Sequence, residues 1–179
     1  MKKIAAALLL SSVVAAPAFA ADNGVYAGLT LGRSHTGTPS GTALTKSSDT
    51  VYGFLAGYQF DQNWGVEAAY GGAGKFATAT NSGKADALSV VAIGTLPMSD
   101  TLSLYGKLGY ASTKTSISGA GATGATRGAA TYGLGLQYNV SPAVGIRFGW
   151  DRYGAAVNSG GIKNNFNASV VGVGAVVKF

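Results

Sequence analysis

The sequence contains no cysteine and few charged residues, since acidic and basic side chains together make up only 11% of its 179 positions. Without cysteine, the chain has neither a disulfide framework nor a thiolate that could act as a nucleophile or bind a metal. Histidine occurs once, and no cluster of histidine and acidic residues has the spacing of a zinc site. We therefore expect no metal, no other cofactor and no catalytic residues.

Long hydrophobic runs are also missing beyond residue 20. No later stretch reaches the roughly 18 consecutive apolar residues of a membrane-spanning helix, so none is expected in residues 21–179. The first 20 residues have a basic start at Met1–Lys3 and an apolar run at Ile4–Leu10. Small residues at Ala18 and Ala20, on either side of Phe19, then supply a cleavage site. We expect residues 1–20 to be a secretory signal peptide and residues 21–179 to form one exported domain.

The sequence is rich in glycine and aromatic residues, with 28 Gly, 9 Tyr, 7 Phe and 2 Trp. Such a composition, combined with sparse charge, suits short strands that face an apolar environment. Two classes of exported protein fit it: a secreted soluble β-domain and an outer-membrane β-barrel.

Eight segments alternate between apolar residues and small or polar ones, and a period of two is the pattern of a β-strand. In the last segment Phe179, Val177, Ala175, Val173 and Val171 form an apolar face. The eight segments are about Gly24–Ser34, Thr50–Phe60, Trp64–Ala73, Ala85–Leu96, Thr101–Ser112, Ala129–Asn139, Ala143–Tyr153 and Phe166–Phe179. Each is close to the length that a tilted barrel strand needs to cross a bilayer.

The links between these segments alternate in length. The short links are Asp61–Asn63, Pro97–Asp100 and Val140–Pro142, and the long ones are His35–Asp49, Gly74–Lys84, Thr113–Gly128 and Gly154–Asn165. Tight periplasmic turns that alternate with longer extracellular loops are typical of an up-and-down outer-membrane barrel. The pattern predicts an all-β fold, an eight-stranded antiparallel transmembrane barrel whose last strand pairs with its first.

Aromatic residues favour the membrane barrel over a soluble β-domain because they collect at both ends of the predicted strands. Phe60, Trp64, Tyr138 and Phe179 lie at the short-turn ends, and Tyr52, Tyr70, Tyr110, Tyr132 and Trp150 lie at the long-loop ends. Two aromatic girdles around an aliphatic band are expected where rings sit at the two lipid–water interfaces.

The opposite parity, which faces the barrel interior, carries a small set of charged and polar residues: Glu67, Lys107, Arg147, Asp151 and Gln137. An eight-stranded barrel has room inside only for its own side chains. Isolated charges there would cost several kcal/mol each, so we expect them to pair. The pairs could form a fixed plug, or a gate that opens to pass small ions.

The long links contain the basic residues Lys46, Lys75, Lys84, Lys114, Arg127 and Lys163. A basic outer rim would attract the phosphates of lipopolysaccharide or acidic host glycans. The alternative is that these loops are simply solvated. A third hypothesis is a hydrolase at the rim that uses Ser34, His35 and Asp49. Nucleic-acid binding is not expected, because no basic stripe is interleaved with aromatic residues.

The run Gly145–Tyr153, followed by a last strand that ends in Phe179, resembles the corresponding strands of the OmpA-like and opacity-type small outer-membrane β-barrels. The resemblance implies a lumenal network of an acidic residue, a lysine and an arginine, matched by Glu67, Lys107 and Arg147. It also implies that Phe179, with Val177, Ala175, Val173 and Val171 behind it, is the signal for the outer-membrane assembly machinery. Because the chain stops at Phe179, we expect it to lack the peptidoglycan-binding C-terminal domain of that family.

We expect a monomeric, non-enzymatic outer-membrane protein that is surrounded by membrane lipids and lipopolysaccharide. Its expected role is structural and surface-interacting, through four extracellular loops that contact lipopolysaccharide, host or other extracellular partners. The alternative is a narrow channel for small ions or solutes, gated by the lumenal salt bridges.

Overall fold

The computed structural model of the protein describes residues 23–37, 48–77, 82–118, 122–159 and 162–179. These residues form the eight strands β1 (Gly24–Thr36), β2 (Ser48–Gln59), β3 (Trp64–Ala77), β4 (Ser82–Pro97), β5 (Leu102–Ser118), β6 (Ala122–Asn139), β7 (Val144–Ser159) and β8 (Ile162–Lys178). The predicted signal peptide and Lys46 lie outside the described residues. In the part of the chain that is described, no helix is long and apolar enough to cross a membrane.

The strands pair in chain order and close into an antiparallel barrel. Closure is made by β1 and β8, which pair from Tyr26 opposite Lys178 to Thr36 opposite Ala168. The backbone N–H of Phe179 adds a hydrogen bond of 2.9 Å to the carbonyl of Val25. The predicted fold and the predicted pairing of the last strand with the first are confirmed. Closure matters because it pairs the first strand with the last and leaves neither as an exposed edge of the sheet.

The three short turns lie at one end of the barrel, and in each a side-chain oxygen accepts a hydrogen bond from the backbone N–H three residues later. In the first, the N–H of Phe60 donates to the carbonyl of Trp64 at 2.9 Å, and Oδ1 of Asp61 accepts the N–H of Trp64 at 2.8 Å. Ser99 and Ser141 accept in the same way in the other two turns, each at 3.1 Å. Side-chain acceptors of this kind are the reason why Asp and Ser favour turns.

At the opposite end, the structure corrects three predicted loops. Gly74–Lys84, Thr113–Gly128 and Gly154–Asn165 are largely strand, because β3–β4 pairing continues to Ala77 opposite Ser82 and β7–β8 pairing continues to Ser159 opposite Ile162. Threonine and serine lie throughout these hairpins, and threonine favours strands. Beyond the bilayer the outer face of a strand has no need to be apolar, so the alternation of apolar and polar residues is lost although the strands continue.

Side chains alternate across the barrel wall as the period of two predicts. Leu29, Leu108 and Leu134 are more than half exposed on the outer surface. Tyr26 and Ile93, on the other parity, are fully buried in the lumen. The barrel therefore has an apolar exterior and a filled interior.

Candidate functional site

A buried carboxylate, Glu67 on β3, lies at the centre of the lumen. Its Oε1 accepts a hydrogen bond of 2.9 Å from Nζ of Lys107 on β5, and its Oε2 accepts one of 2.5 Å from Nη1 of Arg147 on β7. The side chain of Glu67 has no solvent exposure. A charge so deeply buried is tolerated only when it is paired and hydrogen-bonded, and here two cations meet that condition.

Two further residues join this group. Oδ1 of Asp151 lies 3.8 Å from Nζ of Lys107, and the Asp151 side chain keeps 27% of its surface exposed. Gln137, directly opposite Arg147 in the β6–β7 register, accepts a hydrogen bond of 2.7 Å from Nε of Arg147. The structure thus brings all five lumenal residues named from the sequence into one connected set.

Two tyrosines complete the set, and the sequence analysis missed both. The hydroxyl of Tyr26 donates to Oε2 of Glu67 at 3.1 Å. The guanidinium of Arg147 lies between two rings, 4.9 Å from the centroid of Tyr26 and 5.4 Å from that of Tyr105. The ring of Tyr105 also lies 5.4 Å below Nζ of Lys107. The sequence did carry a signal for Tyr105, because it comes two residues before the inward-facing Lys107 and the two side chains therefore point to the same face of β5.

Glycines on the facing strands make room for these rings. A Cβ added at Gly57 would meet the Tyr26 ring, and one added at Gly135 or Gly149 would meet Tyr105. The phenol ends of both tyrosines therefore approach the backbone of the facing strands, and their rings contact the two cations. Together, Tyr26, Glu67, Tyr105, Lys107, Gln137, Arg147 and Asp151 form what we call the lumenal plug.

The lumenal plug separates two cavities. A cavity of about 80 Å³ lies on the long-hairpin side, where Lys107, Arg147 and Asp151 form its floor. A vestibule of about 510 Å³ opens at the short-turn end and is lined by Gln59, Gln137, Arg147 and Lys178. Arg147 borders both spaces. The plug carries two acidic and two basic groups, so it has no net charge with which to attract an ion of one sign.

The aromatic side chains of the predicted girdles lie on the barrel wall at two levels. One level is at the short turns, and the other is partway along the strands, since β5, β6 and β7 extend past Tyr110, Tyr132 and Trp150. Tyr52, Tyr110 and Trp64 are at least 60% exposed, and Phe60, Tyr70, Tyr132 and Tyr138 also face outward. Trp150 is partly covered by Tyr132, with ring centroids 5.8 Å apart. Of the proposed assembly residues, Val171 and Val173 are exposed on the outer face, Ala175 shares that face, and Val177 and Phe179 are partly buried beside them.

The predicted basic residues are spread over several strands instead of lying on loops. Lys75 and Lys84 face outward and pair with acidic groups, Asp49 at 3.8 Å and Asp86 at 3.0 Å. Lys114 on β5 lies opposite Asp86, whereas Arg127 donates to the carbonyl of Ala155 at 3.0 Å. Lys163 belongs to β8. The structure adds an outward-facing Arg33 that the sequence analysis did not name.

The rim-hydrolase hypothesis is wrong in its geometry. Ser34 is buried inside the barrel and its hydroxyl donates to the carbonyl of Asp49 at 3.3 Å, while the adjacent His35 is exposed. Neighbouring strand residues point to opposite faces, so Ser34 and His35 cannot form a nucleophile–base pair. Within the described ranges, no group of three or more histidine, cysteine or acidic side chains could hold a metal.

Comparisons with solved structures show the same fold in other small barrels. Neisserial surface protein A superposes with a TM-score of 0.63 at 15% identity, over 87% of this chain and 97% of that one. OprG of Pseudomonas aeruginosa gives 0.52 at 16% identity, over 89% and 97%. Ail of Yersinia pestis, in complex with the heparin analogue sucrose octasulfate, gives 0.50 at 20% identity, over 86% and 97%.

A search of curated proteins finds no match to the sequence. The profile of the outer membrane protein β-barrel domain matches residues 6–179, which is nearly the whole chain. Together with the closed eight-stranded barrel, this match places the protein in the outer membrane. The chain belongs to the outer membrane protein β-barrel domain family.

Proposed function

We propose that this protein is a structural barrel of the outer membrane whose interactions take place at its extracellular end and not through its lumen. The observation that carries the proposal is the complete burial of Glu67 between Lys107 and Arg147. These side chains, with Tyr26 and Tyr105 against them, stand between the lumenal cavity and the vestibule. A filled lumen leaves the outer surface as the part that meets other molecules.

The extracellular hairpins offer that surface. The β5–β6 ladder continues past the girdle residue Tyr110 as far as Thr115 opposite Ala125. Serine and threonine hydroxyls and the basic residues Lys75, Lys84 and Lys114 lie along these extensions. Hydroxyls and cations suit the phosphate and sugar groups of lipopolysaccharide, or an anionic host glycan. The complex of the Ail barrel with a heparin analogue supports testing a sulfated ligand.

Shortened hairpins test this proposal. In one variant the β5–β6 hairpin is cut beyond Ser112 and Gly128, which removes Lys114, and is closed with Asn-Gly. In a second the β3–β4 hairpin is cut beyond Gly72 and Asp86, which removes Lys75 and Lys84, and is closed in the same way. We expect binding of purified lipopolysaccharide and of heparin to fall while heat-modifiable gel mobility still reports a folded barrel. Binding that survives both truncations contradicts a role for these hairpins.

A narrow gated channel is the second candidate, and the two cavities favour it because Arg147 borders both. A change in the partners of Arg147 or Lys107 would join the upper cavity to the vestibule. Planar-bilayer recordings of the Arg147→Ala variant test this candidate. Discrete conductance steps in the variant support it, and a silent variant rules it out.

We also propose that residues 1–20 direct export and that the aromatic girdles anchor the barrel at the two membrane interfaces. The last strand, ending in Phe179, would be the part that the assembly machinery recognises. Its outward valines support this assignment, because Val171 and Val173 form an exposed apolar face on the strand that ends in Phe179. The chain acts as a monomer in this proposal.

A further inference from the structure

The vestibule at the short-turn end is much larger than the cavity on the other side of the lumenal plug, with about 510 Å³ against about 80 Å³. Barrels of eight strands usually have room only for their own side chains. Pockets that bind small molecules have volumes of about 300–1,000 Å³. Since the short turns of an outer-membrane barrel face the periplasm, the vestibule is open to periplasmic solutes.

Two polar residues in the lining of the vestibule are buried without a partner for their side chains. Gln59, the last residue of β2, is 8% exposed, and Ser103 on β5 is 7% exposed. In the part of the chain that the structure describes, neither side chain makes a hydrogen bond. Buried polar groups almost always have a protein or water partner. Both side chains therefore offer their hydrogen-bonding groups to a molecule in the vestibule.

A chain of hydrogen bonds runs from the lumenal plug into the vestibule and ends in a donor. Arginine can only donate hydrogen bonds, so the contact of 2.7 Å between Nε of Arg147 and Gln137 uses the amide oxygen Oε1 as its acceptor. The amide nitrogen Nε2 of Gln137 then donates to Oδ1 of Asn139 at 2.7 Å. Asn139 lines the vestibule, and its amino group is the last donor of the chain. A molecule that binds beside it must accept a hydrogen bond.

Gly145 on β7 leaves the space that this chain of amides occupies. A Cβ added to it would lie 3.1 Å from Oδ1 of Asn139 and 3.3 Å from Nε2 of Gln137. Contacts that short would force both amides to shift, so a larger residue at this position would displace the last donor. The glycine thus keeps the amino group of Asn139 in the lining of the vestibule.

The charges in the lining favour an anion. Lys178, at the end of β8, lines the vestibule, and its side chain has no salt bridge within the described ranges. Arg147 adds a second cation at the plug, although Glu67 shares its charge. Among the lining residues that the structure describes, the only acidic one is Asp100. It is exposed on the second short turn, where water weakens the effect of its charge.

The two cations enter the vestibule at different levels. Ser103 and Arg147 are the register partners of Gln137 on its two sides, so they share the level next to the plug. Lys178 comes four residues after Gly174, the register partner of Arg147 on β8. That separation is about 13 Å along the strand. An elongated anion with charge at both ends therefore fits the vestibule better than a compact one.

We propose that the vestibule is a binding site for a small linear dicarboxylate that enters from the short-turn end. Its inner carboxylate lies at the level of Arg147 and Ser103, and its outer carboxylate meets Lys178 at the mouth. The amides of Asn139 and Gln59 donate to it from strands on opposite sides of the barrel. The lumenal plug closes the far end, so the anion binds and leaves on the same side and does not cross the barrel.

Three probes of one chain length test this proposal on the barrel in phospholipid nanodiscs. Adipate, 6-hydroxyhexanoate and 1,6-hexanediol carry two carboxylates, one and none, and binding is followed in the NMR signals of the side-chain amides of Gln59, Gln137 and Asn139. We expect adipate to bind about tenfold more tightly than 6-hydroxyhexanoate, because the latter lacks one charged contact. Hexanediol should leave the signals unchanged. If adipate does not shift them, or if hexanediol binds as tightly, the vestibule is not an anion site.

Lys178→Gln tests the outer contact. The variant removes the charge at the mouth, so adipate should bind about tenfold more weakly and lose its advantage over 6-hydroxyhexanoate. Lys75→Gln is the matched control, because it removes an outward-facing lysine near the opposite end of the barrel. Its affinity for adipate should equal that of the unmodified protein. An unchanged affinity in Lys178→Gln, or an equal loss in both variants, contradicts the proposal.

Gln59→Leu separates ligand binding from a purely structural role, and it tests the same site if Lys178→Gln fails to fold. The side-chain amide of Gln59 has no hydrogen bond within the described residues, so leucine should leave the stability of the barrel in urea undiminished. Binding of adipate should still weaken about fivefold, because a donor to the anion is lost. A variant that binds adipate as tightly as the unmodified protein would overturn the assignment of this amide to the anion site.

Discussion

Replacing Glu67 by glutamine removes the one negative charge that holds both buried cations of the lumenal plug. Lys107 donates to it at 2.9 Å and Arg147 at 2.5 Å, and the carboxylate has no solvent exposure. Removing one partner of a buried ion pair typically costs about 3–5 kcal/mol, because the other charge stays buried without compensation.

Two features of the plug moderate that cost. Asp151 lies 3.8 Å from Lys107 and can still compensate part of the positive charge of the lysine. Gln137 keeps its hydrogen bond to Arg147. The glutamine amide oxygen also remains an acceptor for one donor. We therefore expect Glu67→Gln to lower the free energy of unfolding by about 3 kcal/mol, the lower end of the range.

Urea titration of the protein refolded in phospholipid vesicles measures this effect, with the folded fraction read from heat-modifiable gel mobility. Asp151→Asn is the matched control, because its carboxylate is farther from Lys107 and partly exposed. That variant should cost less than about 1 kcal/mol. If Glu67→Gln also stays within about 1 kcal/mol of the unmodified protein, the plug does not hold the barrel interior together as described.

Three further changes test other parts of the barrel. Tyr26→Phe removes the hydroxyl bond to Glu67 and should lower the free energy of unfolding by about 1 kcal/mol in the same titration; an unchanged value would refute its contribution. Gly57→Val places a side chain where the Tyr26 ring lies and should cost about 1–3 kcal/mol. Gly106→Val is its control, since an added Cβ there meets nothing within 4 Å, and equal losses in the two would argue against the close approach. Phe179→Ala should reduce the amount of folded barrel in isolated outer membranes, and normal assembly would contradict the proposed recognition of the last strand.

The barrel architecture could be predicted from sequence because its signals are local. A bilayer-facing strand must alternate apolar and small residues, and rings such as Trp64 and Tyr110 mark where the strand meets the interface. The strand ends at the short turns were predicted within two residues for the same reason, since Asp61 and Ser141 begin recognisable turns.

The extracellular hairpins could not be predicted in the same way. Once a strand leaves the bilayer its outer face has no need to be apolar, so the threonine- and glycine-rich stretch from Thr113 to Gly128 looks like a loop although most of it is paired. The end of the β2–β3 ladder at Gly53 and Gly71 is harder still to predict, because it depends on the bulge at Gly74 and on how neighbouring strands twist, neither of which is a local pattern.

The lumenal plug was partly predictable. Inward parity and the need to pair buried charges named Glu67, Lys107 and Arg147. The same reasoning overlooked Tyr26 and Tyr105, because aromatic residues were assigned to the membrane interfaces. Both tyrosines fit inside because glycines on neighbouring strands face them. Which residues face each other depends on the register between strands, and the pattern within one strand does not show it.

Single-channel recording of the unmodified protein in planar bilayers tests whether the lumen is closed, because a plugged lumen and a surface role exclude a standing conductance. With Glu67 held by Lys107 and Arg147, we expect a flat current over the full range of applied potential. The same preparation should show folded barrel by gel mobility, so that a silent bilayer is not mistaken for failed insertion. Steady, discrete conductance steps from the unmodified barrel would show that the lumen is open and that Glu67, Lys107 and Arg147 do not plug it.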